Sequence, residues 1–216
     1  MAIYSQKLAE FPGFGLYFDP EASPYFRTMV TDDLRKIKTK PIGAGLLVLI
    51  SKARPRFRTI DNGPAEARAI SFPDGVNVIF TPTSMAYMQS GYKKSNSGPV
   101  PSANPAHNPD GCRFYPSDGG QGCRAVPANI TAAEDGNGCV SRVLYTNAQC
   151  LTAKGEATHS FIVLAHELIH SLNQVYGRRH PKDEELRTTG LGIYSNEERS
   201  ENKFRAAFGL PPRIDH

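Results

Sequence analysis

Residues 161–177 read FIVLAHELIHSLNQVYG, an apolar segment interrupted by His166, Glu167 and His170 and ended by Gly177. The spacing is HExxH. An α-helix turns about 100° per residue, so positions four apart lie about 40° from each other and about 6 Å along the axis, on one face. Two imidazoles can then grip one ion. Zinc suits this pair, because tetrahedral coordination by imidazole leaves room for a third protein ligand and a water. Glu167 falls beside that water, where a carboxylate can take a proton as the oxygen attacks a polarised carbonyl and pass it to a leaving amine. Two histidines and a glutamate in apolar surroundings need a metal or partners to offset their desolvation.

A third ligand has to come from carboxylates further along. Glu184 and Glu185 lie in DEELRTTG, and Glu197, Glu198 and Glu201 follow. A turn at His180–Pro181 would let a short helix starting near Asp183 fold back beside the first, which favours Glu184 and Glu185, one on the metal and one orienting a ligand histidine. The distal cluster is expected to be a solvated helix face. Tyr194 and Tyr176 are candidate donors to a developing oxyanion, set against roles as packed aromatics. Arg187 and Arg205 are candidates to orient a carboxylate or meet substrate, set against surface ion pairs. His159 and His180 read as surface residues.

Several elements must position this helix. Residues 14–30 carry Phe14, Leu16, Tyr17, Phe18, Tyr25 and Phe26 without helical spacing and read as a short strand and a turn around Pro20 and Pro24. Thr31 before Asp32 and Asp33 reads as an N-cap opening a helix through Ile37. Gly43 to Ala53 is an apolar helix closed by Pro55. Residues 57–60, 69–72 and 76–80 read as a strand meander. From Gly91 to Gly138 six prolines break every candidate element, giving a long insert that holds Cys112 and Cys123. Cys139 and Cys150 follow; no CxxC pair occurs, and the state of the four thiols stays open. Ser141 to Thr146 reads as a strand, and as the edge to which an extended peptide would add.

The 216 residues fit one domain, 1–216, with the insert at 91–138 and the metal-site region at 160–213. A 39% hydrophobic and 21% charged composition is enough to build a core, and 36 Gly and Pro together argue against an all-helical bundle. The class expected is α+β. The longest apolar run, Leu46–Ile50, is far too short for a bilayer, so no membrane partner is expected. Met1 to Gly13 lacks the apolar stretch of a standard secretory signal. The net charge of +4 is scattered, with clusters at Lys52, Arg54, Arg56, Arg58 and at Arg178, Arg179, His180, Lys182 that do not interleave with aromatics. Nucleic-acid binding is not expected. Arg178, Arg179 and Lys182, just past the zinc helix, could favour acidic or phosphorylated substrates, set against a solvated rim.

HELIHSLNQVYG followed by EELRTTG resembles the zinc helix and third-ligand helix of clostridial neurotoxin light chains. The closer resemblance is to the NleD-like type III effector metalloproteases of bacterial pathogens, whose pattern adds segments matched by Ser200–Arg205 and Gly209–Arg213. The resemblance covers residues 160–213. It implies a zincin-like α+β fold, a small mixed sheet packed on the zinc helix, with Zn2+ held by His166, His170 and Glu185 and with Glu167 as general base. It also implies a monomeric endopeptidase that a type III system delivers into the host cell cytoplasm to cut a host signalling protein. Substrates of characterised relatives include mitogen-activated protein kinases. The alternatives are an effector that sequesters a host protein on a zinc-stabilised fold without cutting it, and a non-proteolytic zinc hydrolase.

Overall fold

A computed structural model describes residues 4–18, 20–21, 24–60, 70–82, 123–145, 150–151 and 157–214. Five strands form the main sheet in the order β1 (Tyr4–Lys7), β2 (Phe14–Phe18), β5 (Val78–Pro82), β7 (Ser141–Tyr145), β6 (Arg124–Pro127). β1 and β2 are an antiparallel hairpin, β2, β5 and β7 run parallel, and β6 closes the far side antiparallel to β7. β3 (Thr59–Ile60) and β4 (Ile70–Ser71) form a separate ribbon, as do β8 (Cys150–Leu151) and β9 (Ala157–Thr158). The class is α+β, and the mixed sheet packs on the HExxH helix.

Side-chain alternation along the strands divides the core between two faces. Phe14, Leu16, Val78, Phe80, Val143 and Tyr145 point at the helices, where they meet Val30, Leu34, Leu46, Ile50, Leu164 and Leu168. Ile79 and Val140 point the other way, into a smaller cluster with Ile60, Ile70 and Phe72. The expected meander therefore fails at residues 76–80. Val78, Ile79 and Phe80 are all fully buried, as in a parallel strand covered on both faces, and β5 leaves its neighbours for the centre of the sheet.

Helix α1 (Phe26–Lys38) begins five residues before the expected N-cap. Phe26, Val30, Leu34 and Ile37 make one buried stripe, and the first two belong to it only if the helix includes them. Thr31 thus sits mid-helix, its hydroxyl donating to the carbonyls of Arg27 (2.9 Å) and Thr28 (3.0 Å), while Asp33 accepts from the buried Tyr145 hydroxyl. Helix α2 (Pro41–Lys52) starts on Pro41, whose missing N–H costs nothing at that position. Its C-terminal end is satisfied by buried Asn77, whose amide donates to the carbonyls of Ile50 (2.7 Å) and Ala53 (3.0 Å).

Part of the expected insert is built into the fold. Residues 124–127 form β6, and 128–138 turn back under the C-terminal end of α3 (Ser160–Val175), the HExxH helix. Gly136 N donates to Gly177 O, and Arg179 N to Ala133 O. The rest of the insert through residue 122, with Cys112, lies outside the described residues, as does the side chain of Cys150. Cys123 and Cys139 are thiols, and burial raises the Cys139 pKa.

α3 stops at Gly177, which has φ +66°, and a Cβ there would stand 2.6 Å from the Gly136 backbone. Both strain and clash forbid a side chain. Gly177→Ala is expected to destabilise the protein by about 2 kcal/mol or more, measured as a shift in the urea midpoint with an unchanged slope.

Candidate metal centre

The sequence of α3 separates its surface into two functions. Ile162, Leu164, Ala165 and Leu168 enter the core, while His166, Glu167 and His170 share another face and are only 6–8% exposed. After Gly177 the chain folds back as expected, and α4 (Glu184–Thr189) lies beside the histidines. Gly190, at φ +81°, ends α4 in the left-handed region and leads through a short 3-10 turn, Gly192–Tyr194, to α5 (Glu201–Ala207). Ser200 caps α5.

Each imidazole is held at its inner nitrogen by a buried carboxylate. His166 Nδ1 donates to Glu201 Oε2 (3.0 Å), and His170 Nδ1 to Glu184 Oε1 (3.2 Å). A carboxylate only accepts, so a ring whose Nε2 binds a metal would keep its one proton on Nδ1, where Glu201 or Glu184 receives it. The two Nε2 atoms lie 3.0 Å apart, and each is 3.1 Å from an oxygen of Glu185. Donors about 2.0–2.1 Å from a tetrahedral zinc stand about 3.3 Å from one another. His166, His170 and Glu185 therefore fit such an ion in donor type and in spacing. The Glu185 side chain is 47% exposed, so the cluster opens to solvent on that side.

The orienting carboxylates are themselves fixed. Glu184 accepts from Asn173 Nδ2 (2.9 Å) and from His180 N (2.7 Å). Glu201 accepts from Arg205 Nε (2.7 Å) and from an Arg213 guanidinium N–H (3.1 Å). The distal cluster is not the solvated helix face expected: Glu197 and Glu198 precede α5, Glu198 exposed beside Arg199 and Glu197 half-buried and paired with Arg187 (2.9 Å). Glu201, on α5, is only 3% exposed. The signal was present in the pairing of Glu201 with Arg205 four residues on, at the start of a capped helix, where a buried ion pair and a surface one look alike in sequence.

Glu167 points to the sheet side. Its Oε2 accepts from Ala125 N (2.7 Å), and two turns along the same face Gln174 Nε2 donates to Ala125 O (3.2 Å). In an antiparallel pair the N–H and C=O of one residue point the same way, so both outward groups of Ala125 in β6 are consumed by α3. This corrects the expected peptide edge twice. β7 is interior, hydrogen-bonded by β5 and β6, and among the described strands the edge on that side is β6, which has Ala125 engaged and Pro127 without an N–H. No sequence pattern marks Ala125 or Gln174 for this role.

The Tyr194 hydroxyl donates to Asp183 Oδ2 (3.1 Å), and among the described residues no hydrogen bond joins it to His166, His170 or Glu185. Tyr176 packs with its hydroxyl on Leu49 O (3.0 Å). Arg205 reaches the site only through Glu201, and Arg187 is tied to Glu197 and to the Arg178 carbonyl. His159 is an exposed residue stacked on Phe161, and His180 is half exposed.

Residues 16–216 match the family model Peptidase_M91, described as an effector protein. The chain belongs to that family. This peptidase-family effector is also similar to two crystal structures. One is the light chain of Clostridium botulinum neurotoxin serotype F, at 15% identity and a TM-score of 0.40 over 71% of this chain and 36% of that one. The other is the catalytic domain of the same serotype, at 16% identity and 0.45 over 88% and 49%. The chain thus spans half or less of the length of these two. No curated protein matches the sequence.

Burial disfavours charge on both rings, but the carboxylates facing them overcome it, raising His166 to about 9 and His170 to about 10. Burial likewise disfavours charge on the glutamates, yet the His166 contact and the arginines hold Glu201 at about 2, and the imidazoles hold Glu185 far below its usual range. Burial raises the Glu167 carboxyl. In the metal-free protein the stabilisation from the protonated rings is complete below about pH 6.5 and is lost as pH rises through about 9 to 10. That from Glu201 is present above about pH 4.5 and lost toward about 2. A dication must displace the ring protons. At pH 7 zinc uptake is expected to release about two protons and to tighten as pH rises toward 9, read by calorimetry in buffers of different ionisation enthalpy. Uptake without proton release at pH 7 would contradict this charge state.

Proposed function

We propose that the protein is a zinc-dependent endopeptidase, an effector delivered by type III secretion into the host cell cytoplasm to cleave a host signalling protein, a kinase being one class. The observation that carries the reading is the convergence of His166 Nε2, His170 Nε2 and Glu185 on one point within 3.1 Å, on the helix that also bears Glu167. Zinc held there would supply Lewis acidity toward a peptide carbonyl and lower the pKa of a coordinated water. His166, His170 and Glu185 would hold it.

The chain's own residues do the rest. Glu167 accepts the proton of the attacking water and returns it to the leaving amine. Burial lifts its carboxyl above the usual range, which brings its basicity closer to neutral pH, and the Ala125 amide fixes one of its oxygens. Glu184 and Glu201 keep each ring's proton on Nδ1. The substrate approaches on the solvent side of Glu185, because the Ala125 groups of β6 are taken. Tyr194 enters as the oxyanion donor, exchanging Asp183 for the substrate.

Glu167→Gln is expected to retain zinc while abolishing peptide cleavage and the cellular effect. A cellular effect that persists without cleavage would favour sequestration of a host protein instead. Tyr194→Phe is expected to lower kcat about 100-fold with zinc content unchanged, and an unaltered kcat removes Tyr194 from the reaction.

A further inference from the structure

The geometry points to the segment after α5, residues 209–213, as a positioning element of the metal centre: Arg213, clamped by Asn202, holds the Glu201 carboxylate that orients His166. This rests on the reading that the site holds zinc. Glu201 is the most buried carboxylate of the cluster, with a side chain only 4% exposed, and its two oxygens serve three donors. Oε1 accepts from Arg205 Nε (2.7 Å); Oε2 is shared between His166 Nδ1 (3.0 Å) and the Arg213 guanidinium (3.1 Å). The oxygen that fixes the ligand ring is therefore the one that Arg213 fixes.

Arg213 has no helix or strand to hold it, yet both of its backbone polar groups are bound by one side chain. Its N–H donates to Asn202 Oδ1 (2.7 Å), and its carbonyl accepts from Asn202 Nδ2 (2.9 Å). Glu201 and Asn202 are adjacent at the start of α5, so one dipeptide grips Arg213 by side chain and by backbone. Between these anchors, Leu210 packs on the main core and the Pro211 carbonyl accepts from Arg205 (3.4 Å). The clamp freezes a long side chain before any ion arrives, which removes that entropy loss from the metal-binding step. Among the described residues Asn202 makes no hydrogen bond to His166, His170 or Glu185, and Arg213 reaches them through Glu201. Both act through position.

The test uses Zn2+ itself, by competition with a chromophoric chelator at fixed pH, alongside far-UV circular dichroism, melting of the metal-free proteins, and Co2+ absorption spectra. Removal of a partner that orients a metal ligand typically weakens affinity about 10–100-fold. Arg213→Met is expected to fall in that range and Asn202→Ala to lose about 10-fold. Arg213→Lys, which keeps the charge but not the planar fork, is expected to fall between Arg213→Met and the native protein, with a perturbed Co2+ spectrum. If Arg213→Met does not fold, Asn202→Ala and Arg213→Lys decide. A zinc affinity within twofold of native in Asn202→Ala and in the folded Arg213 variants overturns the inference while leaving the metalloprotease reading intact. A loss no larger than the fall in metal-free stability also overturns it, because the segment would then be structural only. A native protein that takes up no zinc removes both.

Discussion

Two imidazoles and a carboxylate on one face of α3 leave water when the protein folds, and every polar atom they carry must find a partner. This requirement organises what surrounds the helix. Glu184 and Glu201 take the inner ring nitrogens, and the β6 backbone takes one oxygen of Glu167. The two Nε2 atoms meet each other and the half-exposed Glu185, and those are the atoms a metal ion could take over. The metal centre is the part of the buried polar network where two ring nitrogens and one half-exposed carboxylate converge at the solvent edge.

The network also explains why the elements after α3 are so short. α4 and α5 have six and seven residues, too few to be stable alone, and each is held by what its first turn does in the site. Glu184 and Glu185 open α4, and Glu201 opens α5, so the carboxylates lie at the positive ends of the helix dipoles while reaching the histidines. Negative charge gathered this closely repels itself. Arg205 and Arg213 offset it at Glu201, and the imidazolium protons, or a dication in their place, offset it at Glu185.

Local pattern was a sound guide wherever burial followed a helical or strand period. The HExxH helix, its glycine stop, the turn at His180–Pro181 and the helix opening on Asp183 are where spacing places them, since each depends on neighbours within a turn or two. Thr31 shows the limit. Its residue type suits a cap, but the apolar stripe from Phe26 prevailed, because burying Phe26 and Val30 outweighs one capping hydrogen bond. Ser141–Tyr145 shows another. A strand was legible, yet whether it lay at an edge depended on β6, four residues drawn from a segment that composition read as loop.

The sequence by itself determined the donor types, their one-face arrangement on α3 and the family to which the chain belongs, because these follow from helix geometry and from residues close in the chain. Only the tertiary structure decided that Glu201 turns inward to His166, that Arg213 stands behind it, and that Ala125 meets Glu167 across 42 residues. Such contacts join elements whose separation in sequence carries no period. A glutamate beside an arginine reads the same on a solvated face and in a buried cluster; the packing of neighbouring elements makes the difference.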